Sequence, residues 1–284
     1  MWKLAAITWA FESVGYAVGP HRIVRSGLPL VEALEKIAEI GLDGAELAIW
    51  DIDQFKKQQM QSIRELLAKT GLTVCNICFN DGVHIYDGPA YTSSDRSVRE
   101  DILRRFGETI DFASGCGCKS IAIWPGIDVF PLQETYWKAW ENFTTIVSEC
   151  ADLSKSSGIL TSLEYKPECI LPNADSVLRA IKDIGSSNLG ALLDTGHAIV
   201  AKEDLATVVE MFGDRLFHVH VDDNPGDWDR DMPPGSVHDF IPFLRSLRKA
   251  GYRGFLSMDI WPRTDPYQEV QSGKTYLKKA MSEL

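Results

Sequence analysis

The sequence predicts a single closed (β/α)8 TIM barrel that spans residues 1–284. Short apolar segments, each followed by an amphipathic helical segment, alternate eight times along the chain. Strands that are apolar throughout indicate a parallel sheet that is covered on both faces. No glycine-rich phosphate fingerprint follows the first strand, which disfavours an open doubly wound sheet. Since no linker or compositional break divides the chain, we expect one domain.

Local sequence signals place each element in turn. The first helix carries apolar residues at helical spacing from Leu30 to Ile40 and is ended by Gly41. We expect loops at Gly15–Pro29 and Asn80–Arg96, and the second is a candidate lid because it is long for a compact domain. The predicted strands are Leu4–Phe11, Gly44–Ile49, Leu72–Phe79, Lys119–Trp124, Leu160–Tyr165, Leu189–Asp194, Leu216–Val221 and Phe255–Ile260. The predicted helices are Leu30–Ile40, Gln54–Lys69, Val98–Ser114, Leu132–Ser156, Ala174–Ile184, Asp204–Phe212, Val237–Ala250 and Pro266–Met281.

Composition limits the classes of function. The chain has 40 acidic and 29 basic residues and a formal charge of -11, so its overall field repels phosphate backbones and anionic membrane surfaces. The first residues lack the apolar core of a signal peptide, and no segment approaches the roughly 20 apolar residues that span a bilayer. We therefore expect a soluble cytoplasmic protein that binds neither nucleic acid nor membrane. The six cysteines are too sparse for a disulfide scaffold.

Carboxylate and imidazole side chains stand at the ends of four consecutive predicted strands. Active sites of such barrels lie at the C-terminal ends of the strands, so these side chains should meet at one rim. His218 shares a strand face with His220 but lies one layer deeper, and we expect it to support the rim residues by hydrogen bonding. The four rim residues are Glu164, Asp194, His220 and Asp259.

A divalent cation would hold this set together. Carboxylates that share a barrel mouth repel one another and are costly to desolvate unless they are paired. Three carboxylates and one imidazole suit Mn, Mg, Co or Zn. We therefore predict a divalent-metal site and no organic cofactor.

The same four residues, arriving from strands five to eight, resemble the metal set of the xylose isomerase-like barrel superfamily. That superfamily contains sugar isomerases, ketose 3-epimerases and sugar phosphate isomerase/epimerase proteins. The resemblance covers nearly the whole chain and is strongest from Leu160 to Pro262. It implies a metal-dependent reaction at the carbonyl of a small sugar, in which the metal binds substrate oxygens directly.

Two features bear on the branch of that superfamily. The Glu-x-Lys-Pro segment at Glu164–Pro167 resembles rhamnose and xylose isomerases, in which the lysine helps to polarise the substrate O1. This implies the same role for Lys166, although a salt bridge to Glu168 is the alternative. Asp259 stands where the ketose 3-epimerases carry a glutamate that serves as ligand and base. The shorter aspartate would reach the substrate carbon less easily, which favours an isomerase.

The acidic loop after His220 raises the question of a second metal ion. Asp229 and Asp231 resemble the Asp-x-Asp of two-metal aldose isomerases, and His197 matches a further second-metal histidine of rhamnose isomerase. The spacing from His220 is slightly longer than in that pattern, so Asp227 could substitute. A second ion would help to move a proton between O1 and O2, and the alternative is a merely solvated loop.

Several substrate contacts stay open. In single-metal relatives the equivalents of His197 and Arg230 bind sugar hydroxyls, but Arg230 could instead pair with its acidic neighbours. Trp9 and Trp124, after strands one and four, would form walls that stack on a sugar ring or would pack in the barrel. Glu46 points either into the barrel or at a rim hydroxyl.

We therefore expect an aldose-ketose isomerase of an unphosphorylated or lightly substituted monosaccharide, with catalytic roles for Glu164, Lys166, His197 and Asp259. The alternative is a ketose 3-epimerase or sugar phosphate epimerase, in which Glu164 and Asp259 act as paired bases. An endonuclease IV-like phosphodiesterase, a dehydratase and a non-catalytic sugar-binding barrel are weaker alternatives, and the acidic charge opposes the nuclease. We expect a homo-oligomer only by analogy with other barrels, since no sequence feature specifies one.

Overall fold

Eight parallel strands close into a barrel in the computed structural model. The structure describes residues 2–12, 14–18, 21–25, 27–49, 52, 57–79, 90–125, 135–167, 169–261 and 265–284. The barrel strands are β1 (Lys3–Ile7), β4 (Gly44–Ile49), β5 (Thr73–Phe79), β6 (Ser120–Ile123), β7 (Leu160–Glu164), β8 (Leu189–Asp194), β9 (Leu216–Val221) and β10 (Phe255–Met258), while β2 (Val14–Val18) and β3 (His21–Arg25) form a separate antiparallel hairpin. Each barrel strand pairs with its neighbours in sequence, and β1 pairs with β10 to close the ring.

Helices surround the barrel and follow its strands in the chain. Their bounds are α1 (Leu30–Ile40), α2 (Lys57–Thr70), α3 (Arg96–Cys116), α4 (Tyr136–Ser156), α5 (Ala174–Ile184), α6 (Thr195–Val200), α7 (Leu205–Phe212), α8 (Ile241–Lys249) and α9 (Pro266–Ser282). Every residue of β4 and of β8 is buried, because outward side chains pack beneath helices and inward ones fill the barrel. The predicted (β/α)8 barrel is therefore confirmed, as is the end of α1 at Gly41, which has a left-handed φ of 76°.

Several elements differ from the sequence prediction. Strand β1 ends at Ile7 rather than Phe11, because Thr8–Ala10 form a 3-10 helix. The hairpin β2/β3 lies almost entirely within the segment predicted as a loop, because two short strands have a weak pattern of their own. Helix α6 begins immediately after β8, with Asp194 as its N-cap, and was not predicted. Helix α8 begins at Ile241 rather than Val237, because the backbone N–H groups of Val237 and His238 are hydrogen-bonded to a side chain described below.

Other predictions concern absences or lie outside the described part of the chain. Residues 80–89, most of the predicted lid loop, and Glu168 are not described. Within the described ranges, no helix is long and apolar enough to cross a membrane. All six cysteines are free thiols, and none belongs to a group of described residues close enough to share a metal ion.

Candidate active site

The four rim residues predicted from the sequence meet at the C-terminal end of the barrel. Glu164 and Asp194 are the last residues of β7 and β8, and Asp259 directly follows β10. Asp194 pairs in register with His220 of β9, and a register shift between Ala191 and Leu192 brings this carboxylate level with the imidazole. The four side chains are almost completely buried.

His220 Nδ1 lies at the centre of this set. It is 3.3 Å from Glu164 Oε1 and 3.4 Å from both Asp194 Oδ2 and Asp259 Oδ2. None of these contacts has hydrogen-bond geometry, and His220 Nδ1, Asp194 Oδ2 and Asp259 Oδ1 have no hydrogen-bond partner among the residues described. Neighbouring ligands around a cation at about 2.1 Å are separated by about 3.0–3.4 Å. The donor types and their spacing therefore fit a single divalent cation.

Charge repulsion within this set alters the protonation of its members. Burial raises the pKa of Asp259, and the neighbouring Asp194 and Glu164 raise it further, to about 7 despite the opposing effect of His220. Burial lowers the pKa of His220, but the surrounding carboxylates, Glu46 foremost, outweigh burial and hold it well above its ordinary value. The set thus retains protons that a bound cation would displace.

A second group of side chains adjoins the first through His197, which lies on α6. Its Nδ1 is 3.5 Å from Glu164 Oε1, and its Nε2 is 3.1 Å from Asp229 Oδ2. Lys166 Nζ donates a hydrogen bond to the same Asp229 oxygen at 2.6 Å. Asp229 therefore links the acidic loop after β9 to the lysine of the Glu-x-Lys-Pro segment.

The charges of this second group stabilise one another. Burial lowers the pKa of Lys166, but Asp229 and Asp231 raise it more, so the ammonium stays protonated. Burial also lowers the pKa of His197, and Asp194 and Asp229 reverse this and raise it to about 9. The pKa of Asp229 is held well below its ordinary value by His197 and Lys166, which outweigh its burial.

The acidic loop supplies a second set of potential metal ligands. Oxygens of Asp222, Asp229 and Asp231 lie within 4.8 Å of one another. The sequence prediction included Asp229 and Asp231 with His197 but missed Asp222, whose only signal was its position two residues after His220. The suggested substitute Asp227 is exposed and pairs with Arg230 at 2.5 Å, outside this set.

Asp222 is held by the start of α6. Its Oδ1 accepts hydrogen bonds from Gly196 N at 2.8 Å and Thr195 Oγ1 at 3.2 Å, whereas Oδ2 has no partner in the described part of the chain. The residue is fully buried. Burial and the nearby Asp194 and Asp229 raise its pKa well above the ordinary value.

We expect Gly196→Ala to destabilise the protein by about 2–4 kcal/mol, because overpacking adds to the loss of buried hydrogen bonds. A Cβ at this position would overlap Asp222 Oδ2 and lie 2.7 Å from its Cγ. Urea unfolding of both proteins measures the change. Gly107→Ala in α3 is the matched control, because a Cβ there meets nothing within 4 Å. A loss for Gly196→Ala no larger than that of the control would contradict this prediction.

A buried carboxylate also fixes the ends of the acidic loop. Asp223 Oδ1 accepts hydrogen bonds from Asn224 N and from His238 Nδ1, and Oδ2 accepts from the backbone N–H groups of Val237 and His238. The backbone of Asp223 also pairs in both directions with Met232. These hydrogen bonds of Asp223, which the sequence did not predict, hold the loop that carries Asp229 and Asp231. They also explain why α8 begins after the predicted residue.

The remaining predicted residues occupy different positions. Trp124 lies beside Lys166, whose Nζ is 5.8 Å from the ring centre. Trp9 packs edge-on against Trp261, with ring centres 6.2 Å apart. Arg230 is 43% exposed and paired with Asp227, which agrees with the interpretation that it pairs with its neighbours; its contact with substrate stays a prediction.

Glu46 points into the barrel beneath the four rim residues. It accepts hydrogen bonds from both His218 and His220, which settles the alternative that the sequence left open. His218 was expected to support the rim residues by hydrogen bonding. It is linked to one of them through Glu46, which is hydrogen-bonded to both histidines, whose ring centres lie 5.4 Å apart.

The fold and the buried carboxylate and imidazole groups together define a class of protein, a (β/α)8 barrel whose potential metal ligands come from its last four strands. The chain belongs to the xylose isomerase-like TIM barrel family, whose sequence profile matches residues 34–280. The family predicted from the sequence is therefore confirmed.

Individual relatives are distant. An uncharacterised protein of Methanocaldococcus jannaschii is 28% identical over 260 residues, which cover 88% of this chain and 85% of the relative. A crystal structure of a D-tagatose 3-epimerase-like protein is similar with a TM-score of 0.80 at 22% identity, covering 99% of both chains. A family 2 AP endonuclease from Brucella melitensis is similar with a TM-score of 0.75 at 19% identity, covering 97% of this chain and 99% of the other. At these identities the structural likeness shows the shared fold alone.

Proposed function

We propose that this protein is a divalent-metal-dependent sugar isomerase that interconverts an aldose and a ketose. The observation that carries the proposal is the junction between the two groups of potential ligands. His197 contacts Glu164 of the first group and Asp229 of the second, and Lys166 donates to the same Asp229 oxygen. An aldose-ketose isomerase must contact two neighbouring oxygens of one sugar, O1 and O2. Two adjacent groups of side chains would allow both oxygens to be contacted at once.

The first group, Glu164, Asp194, His220 and Asp259, would hold a divalent cation such as Mn. When bound there, the cation acts as a Lewis acid that polarises sugar oxygens. We assign a second cation to Asp229 and Asp231 together with His197 or Asp222. Support comes from the mutual proximity of Asp222, Asp229 and Asp231 and from the 3.1 Å contact of His197 with Asp229. Buried oxygens of Asp222 and Asp229 also lack partners among the described residues.

The chain's own groups then perform the proton movements. Isomerisation moves one hydrogen from C2 to C1 and one proton from O2 to O1. The Lys166 ammonium donates a hydrogen bond to O1 as negative charge develops there, which stabilises that charge. His197, whose Nδ1 has no hydrogen-bond partner among the described residues, provides a position for the proton that travels between the oxygens.

The charge around the site favours an unphosphorylated or lightly substituted monosaccharide. The described cations closest to the ligands, Lys166 and His197, are already engaged with Asp229, and Arg230 is engaged with Asp227. A phosphate would therefore meet an excess of carboxylates. Trp124 beside Lys166 offers an apolar surface for the sugar ring.

A ketose 3-epimerase is the second candidate. Glu164 and Asp259 come from different strands and approach His220 Nδ1 within 3.3 and 3.4 Å, so one carboxylate could act on each face of a substrate carbon. The likeness to the D-tagatose 3-epimerase-like structure gives this candidate weight.

Product analysis separates the two candidates. The purified protein is first examined for bound metal by elemental analysis and is then incubated with Mn²⁺ and a panel of tetroses, pentoses and hexoses. We expect an aldose and its ketose to interconvert, and loss of this activity after treatment with a chelator. Conversion of one ketose only into another would replace the isomerase with the epimerase. If the protein contains no metal and converts no sugar, the non-catalytic barrel becomes the supported alternative.

The route of the hydrogen is decided by running the reaction in deuterated water. Solvent deuterium at C1 or C2 of the product indicates proton transfer through an enediol. Its absence indicates that the substrate hydrogen is retained, as it is in a direct hydride shift between the carbons.

A further inference from the structure

A fully buried carboxylate beneath the rim connects three strands of the barrel. Glu46 Oε1 accepts hydrogen bonds from His220 Nε2 at 2.9 Å and from Asn76 Nδ2 at 2.7 Å. Its Oε2 accepts from His218 Nε2 at 2.7 Å. Glu46 is 0% exposed and Asn76 is also 0% exposed, so water does not compete for these bonds. A register shift between Ala45 and Glu46 marks the same point in the pairing of β4 with β5.

This contact determines which nitrogen of His220 faces the rim. An ionised carboxylate can only accept hydrogen bonds, so the imidazole nitrogen that touches Glu46 must carry the hydrogen. That nitrogen is Nε2. The other nitrogen, Nδ1, faces the three rim carboxylates, from which it is 3.3–3.4 Å away, and would offer its lone pair there once a bound cation displaced its proton.

We infer that Glu46 is a positioning residue that presents His220 Nδ1 as a metal ligand by fixing the tautomer and the orientation of the ring. His218 and Asn76 hold the Glu46 carboxylate from two sides, so it cannot rotate away from His220. The inference rests on the proposed function only in requiring a metal at the rim. A carboxylate behind a ligating imidazole raises its basicity as a ligand, and removal of such a partner typically costs 10–100-fold in metal affinity.

The first test is the affinity of Glu46→Gln for Mn²⁺, measured by isothermal titration calorimetry on the purified full chain. The amide has nearly the same shape but carries no charge and can turn an N–H toward His220. We expect the dissociation constant to rise by about 10–100-fold. Glu210→Gln is the matched control, because it makes the same chemical change at an exposed glutamate that is paired with Lys249, away from the barrel interior. It should change the affinity for Mn²⁺ by less than about threefold.

The second test identifies the nitrogen directly. Protein labelled with ¹⁵N at histidine is loaded with diamagnetic Zn²⁺, and the imidazole nitrogens are assigned by long-range proton-nitrogen correlation. We expect His220 Nε2 to carry hydrogen and Nδ1 to bind zinc. If Glu46 only stabilised the fold, it would not determine which nitrogen of His220 carries hydrogen and which binds zinc. If Glu46→Gln does not fold, this spectrum of the unmodified protein decides alone.

The outcomes separate the two proposals. Metal binding by the unmodified protein, with an unchanged affinity in folded Glu46→Gln or with zinc on Nε2, overturns the positioning role and leaves the metal site standing. If the unmodified protein binds neither Mn²⁺ nor Zn²⁺, the proposed metal-dependent function fails, and the role of Glu46 fails with it.

Discussion

We expect Glu164→Gln to lower the affinity for Mn²⁺ by more than about a hundredfold, because loss of a ligand exceeds the 10–100-fold effect of losing a partner behind a ligand. Glu164 Oε1 lies 3.3 Å from His220 Nδ1 and 3.5 Å from His197 Nδ1, so it serves both groups of side chains. The amide would place uncharged, partly hydrogen-donating atoms where negative charge is needed. Calorimetry with Mn²⁺ and turnover of the sugar identified by the product screen measure the two effects.

The control for this substitution is Glu210→Gln, which makes the same chemical change at an exposed glutamate paired with Lys249. This control should alter neither the affinity for Mn²⁺ nor the turnover of the sugar. Unchanged metal content in Glu164→Gln would show that the metal site has been assigned to the wrong residues.

The second large effect is expected from Lys166→Met, which should lower kcat by about 10²–10³-fold while the affinity for Mn²⁺ stays within about threefold. Methionine has a similar reach but cannot donate to an oxygen that gains negative charge. Asp229 would retain its contact with His197 at 3.1 Å, so this side chain keeps one of the two contacts described above. Steady-state kinetics separate this effect from weakened binding, because a contact made only in the transition state lowers kcat without raising KM.

Lys138→Met provides the comparison, since Lys138 is an exposed lysine of α4 paired with Glu141. A rise in KM with unchanged kcat in Lys166→Met would reduce the lysine to a substrate-binding group. An unchanged kcat/KM would remove it from the site.

Local pattern was sufficient to predict the barrel and the meeting of four distant side chains. Asp194 ends β8 and His220 is the next-to-last residue of β9, so parallel pairing brings both to the same rim of the barrel. The family resemblance singled out Lys166 and Asp229 for separate reasons, and the structure brings the two into contact.

The missed features depend on contacts between residues far apart in sequence. Asp222 is defined by a hydrogen bond from Gly196, 26 residues earlier, and Glu46 by bonds to histidines more than 170 residues later. A sequence pattern shows the face of a strand but not which side chains meet across the barrel. The β2/β3 hairpin was missed for another reason, because two short strands have a weak pattern of their own.

The two carboxylate oxygens of Asp194 make different contacts. Its Oδ1 accepts the backbone N–H of His197 at 2.8 Å and so begins α6, while its Oδ2 faces His220 Nδ1 at 3.4 Å. Any charge that arrives at Oδ2 must polarise the bond at Oδ1, because both oxygens share the same delocalised electrons. Binding of a cation at Oδ2 should therefore change the chemical shift of the backbone amide proton of His197.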